Sequence, residues 1–350
     1  MAIGIAILGA GIFAKTEHLP AVQACSDLEL KAVYSRSEKS AQSVVSDSSV
    51  GVYFDNPPTS DRTLKTLLSR SDIQAVIVVL PINNQPAIVK QCIEAGKHVL
   101  SEKPIARDVK DALELTKWYE AYSSPQKPIW GVAENWRYYA PFLKAADLVK
   151  EMKQNGGKLV TFRLEVFGFM SESSEYYHTE WRKTPEFQGG FVLDGGVHYA
   201  AGIRMLLAAA GEELAELSAF TNLVDDNLPL VDTVNATMKT SSGTTGTFSA
   251  TWASPVRFGA QMEIAMTNGA VAATPVDVIV KKKGAEDKID FKKSSGVKEE
   301  VDAFAKSILS GEPDPLLSPR EATLDVEVIE KILQSGEQKG APQALTAKSQ

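Results

Sequence analysis

Asp194 and His198 are separated by Gly195-Gly196-Val197. Four residues apart on a helix, the two side chains share one face. A carboxylate beside an imidazole can fix the ring and raise its basicity, which equips the pair to take a proton from a hydroxyl or return it. The bland alternative is a solvated i,i+4 pair. The surrounding glycines, Gly189-Gly190 and Gly195-Gly196, speak for close approach of backbone or ligand, because they weaken a purely structural helix. Lys103 is the second candidate, at the end of Val99-Leu100-Ser101-Glu102-Lys103-Pro104. A Lys near another positive charge can have its pKa lowered and join proton transfer. A Lys before Pro at a strand end is equally an ordinary solvated loop residue.

The element that must position these groups opens the chain. Ile3 to Leu8 is an apolar run that reads as a buried strand, broken at Gly9, with a helical pattern from Ile12 to about Ala24. Gly9-X-Gly11-X-X-Ala14 is the Gly/Ala form of the dinucleotide fingerprint. Gly9 allows the turn, Gly11 lets backbone approach a pyrophosphate, and Ala14 lets helix and strand pack closely. Ile12 and Phe13 open the helix whose free N–H groups would meet the phosphates. The second strand, from Leu28, ends Val33-Tyr34-Ser35-Arg36-Ser37, with no acid to hold a ribose 2′-hydroxyl. Ser35 and Arg36 stand there instead, and Arg suits a 2′-phosphate. NADP(H) is therefore expected over NAD(H), with NAD(H) as the secondary option. A continuous apolar strand runs from Ile73 to Leu80 and stops at Pro81; Leu80, Pro81 and Asn84 then lie at the carboxyl edge where cofactors bind in doubly wound sheets.

The chain has 350 residues and a net charge of −7, enough for two domains and without the basic field of a nucleic-acid binder. No apolar run is long enough to span a membrane. Residues 2–14 imitate a signal peptide, but the glycines explain them better. Cys25 and Cys92 lack metal-like spacing and suit a reduced, cytoplasmic setting. The C-terminal Ala347-Lys348-Ser349-Gln350 is no retention or peroxisomal address. No pair among His18, His178 and His198 has ligand spacing on one element, so no metal site is expected.

Strand, helix and Gly-cap alternate through about residue 128, an α/β pattern. The expected division is residues 1–128 and 129–350. Beyond it, helices are expected over 141–155 and 192–206, and strands over 158–168, 217–224, 231–240, 244–252, 262–267 and 276–282. Ser241-Ser242-Gly243 reads as a hairpin turn. Helices follow over 298–309 and 321–335. Residues 169–188 read as a loop, with Tyr176, Tyr177, His178, Trp181 and Arg182 as candidate sugar contacts.

Gly9–Ala14, Glu102-Lys103-Pro104 and Gly189–His198, in this order and spacing, resemble the Gfo/Idh/MocA family of NAD(P)-dependent oxidoreductases. Ala133-Glu134-Asn135-Trp136 adds a resemblance to a fungal NADP(H)-dependent branch. The resemblance implies an N-terminal Rossmann domain, a doubly wound parallel sheet, and a C-terminal α+β domain with a large, open, mostly antiparallel sheet. That sheet would carry substrate and build a homodimer or homotetramer. It implies catalytic roles for Lys103, Asp194 and His198, and cofactor contacts at Glu102, Lys103, Asn135, Trp181 and Arg182. Asn135 and Arg137 match positions bordering the family's cleft. Many members carry an acid three residues after the His; here it is Ala201, so a substrate is not transferable from better-known branches.

The expected activity is NADP(H)-dependent oxidoreduction of a secondary alcohol or ketone in a sugar, polyol or similar small carbonyl compound. The rival is a non-catalytic NADP-sensing regulator of the same fold. Retention of Lys103, Asp194 and His198 together favours chemistry.

Overall fold

A computed structural model describes residues 2–57, 61–185, 187 and 190–346. Gly189 and Ala347–Gln350 lie outside the described residues. The chain divides into two compact units. One comprises the chain up to Asn135 together with Ser295–Thr323, and the other holds Trp136–Ser294 and the chain from Leu324. The expected boundary at 128/129 thus moves to 135/136, and the expected continuous stretch 129–350 is interrupted. The cause is the amphipathic helix Val297–Ser310, which buries Val297, Val301, Phe304 and Ala305. It packs on the helix Leu19–Ala24 and on the strand Trp130–Ala133, and so belongs to the first unit.

The first unit is built on six strands: β1 (Ile3–Leu8), β2 (Leu28–Ser37), β3 (Gly51–Asn56), β4 (Ala75–Val78), β5 (His98–Glu102) and β6 (Trp130–Ala133). All pairings are parallel, in the order β3-β2-β1-β4-β5-β6. β1, β4 and β6 are buried at every position, as expected of strands covered on both faces. Chain direction away from β1 reverses between β2 and β4, which makes the carboxyl end of β1 the switch point where such sheets take ligands. The helix after β1 begins at Ile12 and contains a π-helical turn, Ala14–His18, before the α-helical stretch Leu19–Ala24. His18, at the end of that turn, is fully buried.

The second unit holds a nine-stranded sheet. Its strands are β7 (Leu159–Phe167), β8 (Leu214–Asn222), β9 (Thr233–Thr240), β10 (Thr245–Thr251), β11 (Gly259–Met266), β12 (Gly269–Ala273), β13 (Asp277–Lys282), β14 (Ala285–Asp290) and β15 (Gln343–Ala344). They lie in the order β14-β13-β12-β11-β7-β10-β9-β8-β15. Only β7 and β10 run parallel. Phe162, Leu164 and Val166 of β7, with Phe248 of β10 and Ile264 of β11, form the buried face. Against the sheet pack the helices Ala140–Gln154 and Gly190–Ala209. The opposite face is polar, with Arg163 paired to Glu263 at 3.0 Å. Gly243, at φ +92°, turns the β9–β10 hairpin where the sequence places it. β12 and β14 were not anticipated: one is all small residues, the other almost all polar. The described residues of 169–188 are largely loop, as read, but include the short helix Glu180–Lys183. Among the described residues, no helix is long and apolar enough to cross a membrane.

Candidate active site

In the first unit, Gly9 sits at φ +133°, and a Cβ there would lie 2.0 Å from the Val79 carbonyl oxygen. Only glycine fits this turn. Gly11 is different: a Cβ would meet nothing within 4 Å, and the residue is exposed. Its bare backbone borders open space, which is what approach of a pyrophosphate requires. Gly9→Ala is expected to lower stability by about 2–5 kcal/mol, because steric overlap and backbone strain add. Gly11→Ala should change it by less than about 0.5 kcal/mol. Urea unfolding of the ligand-free variants checks both.

β2 runs on through Ser35 and Arg36 to Ser37, whose hydroxyl caps the next helix by accepting from Ser40 N. Arg36 is exposed and Ser35 half-buried. One acid reaches this end of the sheet from outside the β2 sequence. Asp55, on β3, accepts a 2.6 Å hydrogen bond from the Tyr34 hydroxyl and a 3.1 Å bond from Leu64 N. Burial and this bond to Asp55 push the Tyr34 phenol well above its usual range. Leu80 and Pro81 are half-buried, and Asn84 is exposed in the turn Ile82–Asn84.

Lys103 follows β5, half-buried, and the Lys103–Pro104 peptide is cis. It therefore shares the carboxyl edge of the sheet with the Gly9 turn. Glu102 points elsewhere. It is buried, with one carboxylate oxygen 2.6 Å from His18 Nε2 and the other accepting from Lys103 N at 3.1 Å. Asn135 is buried too, and its Nδ2 donates to the Ser295 carbonyl at 2.5 Å. His18, Glu102 and Glu300 each offer one ligand-type atom, all within 4.8 Å of one another. Sequence reasoning missed this cluster, because its members come from three distant elements and only folding assembles them.

In the second unit, Asp194 and His198 lie on the helix Gly190–Ala209, both half-buried. Asp194 accepts from Arg182 Nε at 2.9 Å, and the Arg182 guanidinium lies over the Trp181 ring at 4.0 Å. The His198 ring stacks on Trp136 with centroids 5.8 Å apart and planes at 16°. Arg182, read from sequence as a cofactor contact, is thus also the group that fixes Asp194. The glycines of this helix answer to packing: a Cβ on Gly195 would lie 2.9 Å from the Trp252 ring, and one on Gly196 2.9 Å from Ile329. Of the two readings of these glycines, close approach of protein or of ligand, the structure shows close packing of protein side chains at Gly195 and Gly196. Arg137 is also structural: it is buried and ion-paired with Asp325, which Arg204 holds from its other oxygen. Tyr177 donates to the Asn227 carbonyl at 3.1 Å, and its ring meets His178 edge-on.

Residues 3–124 match the oxidoreductase family with an NAD-binding Rossmann fold, and residues 142–272 match the Gfo/Idh/MocA C-terminal domain. The chain belongs to the Gfo/Idh/MocA oxidoreductase family. It is 44% identical over 340 residues to Dehydrogenase FPY6 of Fusarium mangiferae, covering 95% of this chain and 96% of that one. An uncharacterized protein of Saccharomyces cerevisiae is 33% identical over 240 residues, covering 68% of this chain and 63% of its own. Among solved structures, an oxidoreductase of Thermotoga maritima superposes with a TM-score of 0.85 at 27% identity, over 98% of each chain. This Gfo/Idh/MocA chain is therefore an oxidoreductase with an NAD(P)-type Rossmann unit.

Proposed function

We propose that the protein is an NADP(H)-dependent oxidoreductase that interconverts a secondary alcohol and a ketone in a sugar, polyol or similar small carbonyl compound. The observation that carries this reading is Lys103, half-exposed at the same sheet edge as the open backbone of Gly11. The residues fit a dinucleotide: Gly9, Gly11, Ile12 and Phe13 would hold its pyrophosphate, Ser35 and Arg36 its 2′-phosphate, and Leu80, Pro81 and Asn84 its nicotinamide half. When bound, that cofactor supplies the hydride-transfer chemistry. His198 takes the hydroxyl proton in oxidation and returns it in reduction. Asp194, steadied by Arg182, orients the imidazole and binds a neighbouring hydroxyl. Lys103 holds the reacting oxygen and stabilises its charge.

The names of more distant relatives support a sugar-like substrate. One is D-xylose 1-dehydrogenase (NADP(+)) 2 of Haloferax volcanii, 24% identical over 95% of this chain. Another is dTDP-3,4-didehydro-2,6-dideoxy-alpha-D-glucose 3-reductase of Saccharopolyspora spinosa, 27% identical over 61% of this chain. Assembly as a homodimer or homotetramer belongs to the same proposal.

Titration with NADPH and NADH, followed by nicotinamide fluorescence, tests the cofactor half. NADPH is expected to bind at least tenfold more tightly, and Arg36→Ala should remove most of that preference by deleting a charge-assisted contact worth about 1.5–3 kcal/mol. Equal binding of both would remove the 2′-phosphate assignment and leave the oxidoreductase reading standing. Tight binding without turnover across a carbonyl screen would favour the sensor.

A further inference from the structure

Glu300 is an acid that the proposed mechanism does not use. It lies on the Val297–Ser310 helix with 0% exposure, and neither carboxylate oxygen has a hydrogen-bond partner among the described residues. His18 is likewise fully buried, with Nδ1 unpartnered. An ionised carboxylate left in this setting would be costly, since burial without a partner strongly disfavours charge. Two fillers could relieve it: a metal ion or a proton. The 2.6 Å contact between His18 Nε2 and Glu102 Oε1 decides against the metal. Two ligands bound to one cation stand farther apart than a hydrogen-bonded pair, about 3 Å or more at metal–ligand distances of about 2.0–2.2 Å. These two atoms already lie within hydrogen-bond distance of each other.

We propose that Glu300 holds a proton in the folded protein and serves as a positioning residue for Lys103, filling the space behind Glu102 without adding a third buried carboxylate charge. The surroundings agree. Burial first, then the charges of Glu102, Glu134 and Glu299, raise the Glu300 carboxyl well above its usual range, and Lys103 acts in the opposite sense. Glu102 comes from β5, Glu134 follows β6, Glu299 shares the helix of Glu300, and His18 ends the π-turn. With Glu300 neutral, the buried carboxylates beside it are those of Glu102 and Glu134, and Glu102 also accepts from Lys103 N at 3.1 Å. Loss of the Glu300 proton adds a third, repels Glu102, and loosens the segment that carries Lys103.

The sign of the pH dependence follows. A carboxyl whose folded pKa is raised stabilises fully below its unfolded pKa, and that contribution is lost as pH rises toward the folded pKa. Unfolding of wild type and Glu300→Gln across pH tests this without turnover. In that window, the folding equilibrium constant of Glu300→Gln relative to wild type is expected to rise about tenfold per pH unit, the slope of one proton. Infrared spectra of the ligand-free wild type should show a protonated carboxyl band that bleaches on raising the pH and is absent in Glu300→Gln. Parallel stability curves, or no such band in wild type, would overturn the proposal, as would a stoichiometric divalent metal found by elemental analysis in wild type. The link to Lys103 rests on the oxidoreductase reading and is read separately. Glu300→Gln should keep kcat near neutrality and carry it at least one pH unit further on the alkaline side. An unchanged alkaline limb would overturn the positioning role, whereas absence of turnover in both proteins, with the infrared band present, would count against the enzyme assignment alone.

Discussion

His198→Ala is expected to lower kcat by roughly 10²–10⁴-fold, the usual contribution of a positioned acid–base group, while leaving NADPH affinity within about twofold. The imidazole is half-buried, so substrate can reach it, and it is fixed from one side by the Trp136 ring. Losing that stack should cost about 0.5–1.5 kcal/mol of stability, so the variant should still be folded at 25 °C. The measurement is steady-state turnover on the best compound from an NADPH-coupled carbonyl screen, with cofactor affinity measured in parallel. A kcat close to wild type would remove His198 from the chemistry. A matched loss in cofactor affinity would place it in binding instead.

The second large effect concerns stability. Asp325 is 1% exposed and receives both Arg137 and Arg204, one on each carboxylate oxygen. Removing one member of a buried ion cluster leaves charge uncompensated in a poorly solvated place and typically costs about 3–5 kcal/mol. Asp325→Ala is therefore expected to shift urea unfolding by about that amount. Replacing all three by apolar residues of similar size should recover much of it, since desolvation offsets the attraction in such clusters. A change below about 1 kcal/mol for Asp325→Ala would show that water reaches the cluster.

The first unit was largely legible in the sequence because its signals are local. Gly9 interrupts an apolar run, Pro81 ends another, and each strand carries its own turn chemistry. The second unit was legible where side chains alternate, as in Phe162-Arg163-Leu164-Glu165-Val166. It was not where a strand is built of small apolar residues, as in Gly269–Ala273, or is mostly polar, as in Ala285–Asp290. There, pairing with a neighbour decides the conformation, and periodicity carries no trace of it. The site divides in the same way. Lys103, Asp194 and His198 could be nominated as candidates from motif order. The partners of the named residues could not, because Arg182 on Asp194, Asp55 on Tyr34 and Asp325 on Arg137 are tertiary contacts without a fixed spacing. Gly195 and Gly196 show why type alone leaves a choice open: a residue that admits a ligand also admits a Trp252 ring and an Ile329 side chain.

The return of Ser295–Thr323 to the first unit has a genetic consequence. No single cut in the gene separates the two units. A fragment ending at Asn135 would lack the helix whose Val301 and Phe304 complete its core, and a fragment beginning at Trp136 would carry that helix with its apolar stripe left over. Recombination by one crossover thus cannot pair this nucleotide-binding unit with another sheet unit. Exchange of a whole unit requires three junctions, after Asn135, Ser294 and Thr323, the last within a continuous helix. Such an arrangement ties the inheritance of the two units together, because their sequences interleave along one gene.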